Sequence, residues 1–233
     1  MNFLVELLFP RRCPVCDKPV DKMGNYICRK CRHTIKYIES PYCLKCGKSL
    51  KDDMAEKCED CNNSAHVFDR GRALYEYETV KEAIYRFKYE GRREYADFFG
   101  TQLAVKMSDE IRNWNVDAIV PVPLHKDREK KRGYNQAVLI ARVLGKRLNI
   151  PVRENLIYRI KSTVPQKELL GKERQNNLKN AFKIGQNDVK LKTIIVVDDV
   201  YTTGATMDEI ARCLKSAGIH RVYCISLAVG RGI

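Results

Sequence analysis

The stretch Ile194-Ile195-Val196-Val197-Asp198-Asp199-Val200-Tyr201-Thr202-Thr203-Gly204-Ala205-Thr206 leaves this chain few choices of fold. Four β-branched residues in succession read as a strand buried on both faces, the usual state of a parallel sheet. Two carboxylates follow where such a strand leaves the sheet, then a small-residue loop rich in hydroxyls, then a helical pattern from Thr206. Strand, loop and helix start in this order turn backbone N–H groups and the positive end of a helix dipole toward one point, which suits a phosphate. Gly204 and Ala205 let the backbone approach closely, and the threonine hydroxyls add donors. Asp198 and Asp199 suit the vicinal hydroxyls of a ribose or the water shell of Mg²⁺.

The run resembles the phosphoribosyl pyrophosphate (PRPP) signature of type I phosphoribosyltransferases: hydrophobic residues, two acids, two hydrophobics, then Thr-Thr-Gly-x-Thr. Tyr201 stands where that signature usually has an aliphatic residue. The resemblance implies an α/β fold, a mostly parallel sheet flanked by helices. It places Val200, Tyr201, Thr202, Thr203, Gly204, Ala205 and Thr206 around PRPP, with Asp198 and Asp199 as catalytic acids that hold the ring. An ordinary β–α turn with a well-capped helix would explain an isolated Asp-Asp pair, but it explains thirteen residues in this context poorly.

Eight of the ten cysteines form Cys-x-x-Cys pairs within the first 61 residues: Cys13/Cys16, Cys28/Cys31, Cys43/Cys46 and Cys58/Cys61. Each pair starts fifteen residues after the last, yet the flanking chemistry repeats every thirty, Cys13 to Val20 corresponding to Cys43 to Leu50. Both of those segments look like zinc knuckles, in which a turn after the second cysteine points N–H groups at sulfur. The expected product is two structural Zn²⁺ ions in tandem Cys₄ ribbons, Cys13, Cys16, Cys28 and Cys31 holding one, Cys43, Cys46, Cys58 and Cys61 the other. Uniform spacing leaves interleaved ligation open, and an iron–sulfur cluster is the alternative metal. Metal binding, worth roughly 10–16 kcal/mol per structural site, would supply the folding energy that so few large aliphatics cannot. With every ligand position filled, no catalysis is expected there.

The opening Met1-Asn2-Phe3-Leu4-Val5-Glu6-Leu7-Leu8-Phe9 is apolar but has neither a basic stretch nor a cleavage site, so it reads as packing on the chain's own core rather than as a secretory signal. No apolar run approaches the ~20 residues of a membrane span. Thiolates without a secretory signal point to a reducing, cytoplasmic setting. The expected organisation is a double zinc ribbon over 1–64 and an α/β domain over 65–233, with 62–71 as linker.

Along that domain, Arg72 to Tyr77 alternates like a strand, and Val80, Ala83, Ile84 and Phe87 fall on one helical face. Lys88 to Arg93 breaks that helix, and Tyr95, Phe98, Phe99 and Leu103 mark a second. Val116 to Pro123 is a short buried strand ended by prolines, followed by a basic loop from Leu124 to Gln136 and a helix on Ala137, Ile140, Ala141, Leu144 and Leu148. Strand, loop and helix thus recur with cations in place of acids. In a parallel sheet both loops can lie at the carboxyl edge and flank one crevice. Arg132 and the backbone around Gly133 are the candidates for pyrophosphate contact, with Asn135 and Gln136 as auxiliary polar groups. A solvated basic loop would explain Lys130 and Lys131 equally well, but not the Arg-Gly-Tyr-Asn-Gln cluster. The polar segment between Tyr158 and Phe182 reads as a mobile lid, and Arg221 to Val229 as another buried strand. Cys213 and Cys224 read as apolar fillers.

Together the tandem ribbons, Phe87-Lys88-Tyr89-x-Gly91, Arg132 to Gln136, Gln166 with Arg174 to Phe182, and Val196 to Thr206 resemble the ComF family of competence proteins over nearly all 233 residues. The resemblance implies a type I phosphoribosyltransferase fold, PRPP with Mg²⁺ as ligand, and handling of incoming single-stranded DNA in natural transformation, with competence helicases or DNA-processing proteins as partners. A formal charge of +14, from 43 basic and 29 acidic residues, independently points to polyanions.

Two functions compete. In the first, the PRPP site is a ligand-binding platform within a DNA-handling protein. Lys126, Arg128, Lys130, Lys131, Arg29, Lys30 and Lys45 would then grip phosphates, while Tyr134, Tyr26 and Tyr42 stack on bases. In the second, the protein is a metabolic transferase moving ribose 5-phosphate to a small nucleophile, with Arg132 and Mg²⁺ stabilising the departing pyrophosphate. The sequence reveals no acceptor pocket. An amidophosphoribosyltransferase proper would also need ammonia, usually from a glutaminase domain with an amino-terminal Cys, and position 2 is Asn2.

Overall fold

The computed structural model describes residues 10–20, 25–161, 178, 180–185 and 190–230; most of the expected lid and the apolar opening nine residues lie outside them. Within the cysteine-rich part, regular structure amounts to a 3₁₀ turn, Arg29–Cys31, and a one-turn helix α1, Glu59–Asn62. Then come β1 (Arg70–Glu76), α2 (Tyr77–Tyr89), α3 (Tyr95–Asn113), β2 (Ala118–Pro121), α4 (Lys126–Arg132), α5 (Gln136–Leu148), β3 (Ile157–Arg159), β4 (Phe182–Ile184), β5 (Thr193–Tyr201), α6 (Ala205–Ser216) and β6 (Arg221–Val229).

β1, β6, β5 and β2, in that order, form an all-parallel sheet, and β3 and β4 pair antiparallel in a small second one. Alternate residues of the continuous apolar strands serve two separate cores, because side chains of a strand point to opposite faces. Ile195, Val197, Tyr223, Ile225 and Leu227 pack under α2, α3 and α5, whose buried faces include Phe87, Phe99, Leu103, Ile140 and Leu144. Ile194, Val196, Val222 and Cys224 face the other way, onto Met207, Ile210 and Leu214 of α6, the small sheet, and the second cysteine set. The helical faces read from periodicity are thus the buried ones.

Three local expectations are corrected. β5 does not end before its acids: β2 stops pairing at Pro121↔Val197, while β6 continues to Tyr201↔Val229. The two carboxylates therefore sit on a strand that has lost one neighbour, since Pro121 and Pro123 end β2. The linker over 62–71 is no free tether. Phe68 is fully buried, Val222 donates to Asp69 Oδ2 at 2.8 Å, and β1 begins at Arg70. The basic loop contains α4, capped by His125 and ended by Gly133 at φ 80°. That helix buries no residue, so no apolar period announces it.

The segment between the ribbons shields the free edge of β1. Tyr37 bridges Tyr75 antiparallel, Ile38 N–H donates to Leu74 O at 2.9 Å, and Glu76 N–H donates to Lys36 O at 3.1 Å. An open strand edge invites pairing with other chains, and this contact covers it.

Candidate phosphate site and metal centres

The metal question resolves on sulfur geometry. Cys13, Cys16, Cys28 and Cys31 form one group of ligand atoms all within 4.8 Å of one another, and Cys43, Cys46, Cys58 and Cys61 form another. Ligation is therefore by adjacent pairs, not interleaved. Sulfur separations of 3.8 Å (Cys16–Cys28) and 3.7 Å (Cys46–Cys58) match the edge of a tetrahedron built on Zn–S bonds of about 2.3 Å. Each knuckle closes on a backbone hydrogen bond, Asp17 N–H donating to Cys13 O and Gly47 N–H to Cys43 O, both at 2.8 Å. The residue after the second cysteine of each of these pairs lies in the left-handed region, Asp17 at φ 56° and Gly47 at φ 77°. These are the sites of two structural zinc ions.

At the carboxyl edge of the sheet, β5 runs into a loop that ends at Gly204, φ 79°, the N-cap of α6. A side chain there would collide with the Tyr201 hydroxyl and the His66 ring, so glycine serves both the backbone angle and the space. The Thr203 hydroxyl oxygen is buried without a hydrogen-bond partner among the described residues. A buried polar atom of this kind at a helix start is what an anion's oxygen would satisfy. Asp198, Val200, Tyr201, Thr202, Gly204, Ala205, Thr206 and Met207 line a small concavity at the same turn.

The acids carry an uneven load. Lys88 of α2 pairs with Asp199 at 2.6 Å. Burial together with the neighbouring Asp199 carboxylate pushes Asp198 up to about 7, against the pull of Lys88. Burial would lower Lys88, but Asp199 and Asp198 hold its pKa above the ordinary lysine value. Arg159 of β3, brought down to about 10 by burial and by Arg128, feels the Asp198 charge as well. Sequence reading named neither Lys88 nor Arg159 as site residues. Lys88 reads as the start of a helix break, its signal being the Phe87-Lys88-Tyr89-x-Gly91 motif, and Arg159 lies on a three-residue strand with no pattern.

The other predicted residues sit as follows. Arg132 ends α4, its guanidinium 5.2 Å from the centre of the Tyr89 ring and donating to Gln136 Oε1. Asn135 and Gln136 are buried and committed internally: Asn135 caps α5 and donates to Val122 O at 2.9 Å, and Gln136 donates to Phe87 O at 3.4 Å. They position the loop after β2 rather than offering free amides. The Tyr201 ring packs edge-on to Phe68 with centroids 6.2 Å apart. Its hydroxyl lies 3.4 Å from His66 Nε2, while His66 Nδ1 lies 2.8 Å from Asp208 Oδ2 on the first turn of α6. A cleft of about 980 Å³ opens beside α4, lined by Pro123, His125, Asn155, Tyr158, Arg159 and Lys183 among others.

Among the described residues only the two cysteine sets gather three or more metal-ligand groups, so the acids are not a metal cage. Two carboxylates beside a phosphate cradle do fit Mg²⁺, which commonly binds through one or two carboxylates plus substrate phosphates. No described helix is long and apolar enough to cross a membrane.

Comparison with known proteins agrees with this geometry. The double zinc ribbon domain matches residues 4–62 and the phosphoribosyl transferase domain residues 100–232. Competence protein F of Haemophilus influenzae is 33% identical over 98% of this chain and 99% of its own length. Competence protein ComFC of Bacillus subtilis is 30% identical, covering 84% of this chain and 81% of its own. DNA utilization protein YhgH of Escherichia coli is 28% identical over 94% and 98% respectively. Both domains and a full-length relative thus converge, and the chain belongs to the ComF family of competence proteins, a type I phosphoribosyltransferase fold with an amino-terminal double zinc ribbon.

Proposed function

We propose that this protein binds PRPP with Mg²⁺ at the carboxyl edge of its sheet and handles single-stranded DNA in the cytoplasm during natural transformation. The observation that carries the ligand reading is the buried, partnerless Thr203 hydroxyl beside left-handed Gly204 at the start of α6. In this reading the loop from Thr202 to Thr206 cradles the 5′-phosphate and the acids hold the ribose hydroxyls. Gly133 and Arg132 on the neighbouring loop face the pyrophosphate. Mg²⁺ supplies charge neutralisation at the phosphates; Lys88 already does so at Asp199. The DNA reading draws on the net charge of +14 and on the relatives named for competence and DNA utilization. Competence helicases and DNA-processing proteins are the expected partners.

Isothermal calorimetry tests the ligand. PRPP should bind only with Mg²⁺, and Asp198→Asn with Asp199→Asn should abolish binding in a protein that remains folded. Unchanged affinity in that folded variant would remove the acids from the site.

The cleft beside α4 favours one second reading, a transferase that passes ribose 5-phosphate to a small acceptor. Pyrophosphate release on adding an amine or base with PRPP and Mg²⁺ would select it.

A further inference from the structure

The aromatic side chains expected to stack on nucleic acid are buried or only partly exposed. Tyr134 is buried and its hydroxyl donates to Phe87 O. Tyr42 lies under the Arg72 guanidinium at 3.5 Å, and Tyr26 under that of Arg11 at 4.8 Å. Exposed aromatic rings lie elsewhere. Tyr85 and Tyr89 on α2 are 52% and 55% exposed, and Tyr158 by the cleft is 46% exposed.

Tyr85 and Tyr89 are four residues apart and so share one face of the helix. Their ring centres are 5.0 Å apart with planes inclined at 48°, and each residue is about half exposed. Arg132 lies over the Tyr89 ring, and the exposed Lys130 and Lys131 precede it on α4 without an ion pair among the described residues. Arg93, from the segment after α2, lies over Tyr134 and donates to Gly133 O at 2.9 Å, adding a further cation. The charge on this surface is graded. Glu82 and Glu78 lie toward the amino end of α2, Glu78 held by Lys81 at 2.9 Å, and the cations gather at the Tyr89 end. Lys88, between the two tyrosines in sequence, points instead to Asp199. The exposed rings and the acid pair therefore flank one helical turn.

We propose that Tyr85 and Tyr89, with Arg132, Lys131 and Lys130, form a base-stacking platform for single-stranded DNA beside the PRPP crevice. Bases present a flat π-face to the rings whatever their identity, and the strand's phosphates run toward the cationic end of α4. A duplex keeps its base faces stacked inside and has nothing to offer the tyrosines. The inference rests on the single-stranded DNA reading above and names the residues that would serve it.

The test is fluorescence anisotropy with a labelled oligothymidylate on the full chain, at several salt concentrations. Replacing both rings (Tyr85→Ala with Tyr89→Ala) should weaken binding about tenfold or more, since stacking contributes on the order of 1–3 kcal/mol per base. The salt slope should not move, because no charge is lost. Tyr85→Phe with Tyr89→Phe should bind like the parent, which separates ring loss from any disturbance of α2. Lys130→Gln with Lys131→Gln should instead flatten the slope, by roughly 0.7 per phosphate contact removed. Parent-like affinity in the alanine variant would overturn the platform while leaving the DNA reading standing. A parent protein that ignores the oligonucleotide at physiological salt would overturn both. Equal preference for duplex and single strand would also overturn the platform.

Discussion

The first ribbon's sulfurs form a small cluster of their own with Val15, Val20 and Ile27; Val15 and Ile27 also pack on the edge of the domain core, and polar contacts add to that attachment. Arg86 donates to Val15 O at 2.6 Å, and Asp17 accepts from Arg92 and from the Tyr95 hydroxyl, both at 2.5 Å. The second ribbon is built in. Cys43, Cys46, Cys58 and Cys61 belong to the same apolar cluster as Phe68, Tyr201, Met207 and the strand residues Ile194 and Val196. A side chain at Gly47 would strike the backbone of Arg72 and Ala73 on β1. His66, in the segment that follows this ribbon, contacts Tyr201 and Asp208 beside the turn proposed to cradle phosphate. Two sites with the same ligands are thus coupled to the fold in different ways, one as a docked module and one as part of the core beneath the candidate ligand loop.

The comparison can be broken most forcefully at the metals. Cys46→Ser and Cys16→Ser should each cost one zinc equivalent by elemental analysis, forfeiting much of the roughly 10–16 kcal/mol a structural site provides. Only Cys46→Ser should collapse the cooperative thermal transition of the α/β domain; a similar small shift for both variants would mean the ribbons are equivalent.

A smaller contrast lies at the matching knuckle positions. Gly47→Ala combines a left-handed backbone with a collision against β1 and should cost about 2–4 kcal/mol in denaturant titrations. Asp17→Ala loses hydrogen bonds to Arg92 and Tyr95 and should cost about 1–3 kcal/mol, confined to the first ribbon.

The smallest effect concerns the acid pair. Asp198, at about 7 in the fold, is far above the ordinary carboxylate value. A raised pKa means that the protonated form is favoured by folding. That stability is complete below about pH 4 and lost as pH rises through 7, where the ionised group opposes the fold. Without added Mg²⁺, Asp198→Asn should be nearly neutral at about pH 4 and stabilising by about 2 kcal/mol at about pH 8, the full linkage value being discounted for the group's partial access to solvent. A melting-temperature difference that is flat across this range would refute the assignment.

Much of this was legible in the sequence because the signals were local. Four β-branched residues before Asp198 announced β5, the cysteine spacing announced both metal sites, and the periods over Val80–Phe87 and Ala137–Leu144 announced α2 and α5. What escaped were features made by long-range placement. Lys88 reaches Asp199 across 111 positions of chain, and His66 reaches Asp208 across 142. The helix α4 has no apolar face to betray it. Tyr201 was visible as a departure from the signature, but its purpose appears only when the loop and the segment after the second ribbon are seen in contact: the larger ring packs edge-on to Phe68 and His66, which stack on each other.

The most direct test of the account is amide hydrogen exchange with and without PRPP and Mg²⁺. The account predicts slowed exchange over Thr202 to Met207 and, through His66, over His66 to Phe68, with the first ribbon unchanged. Unaltered exchange in the Thr202 to Met207 turn, or protection of the first ribbon equal to that of the second, would contradict it.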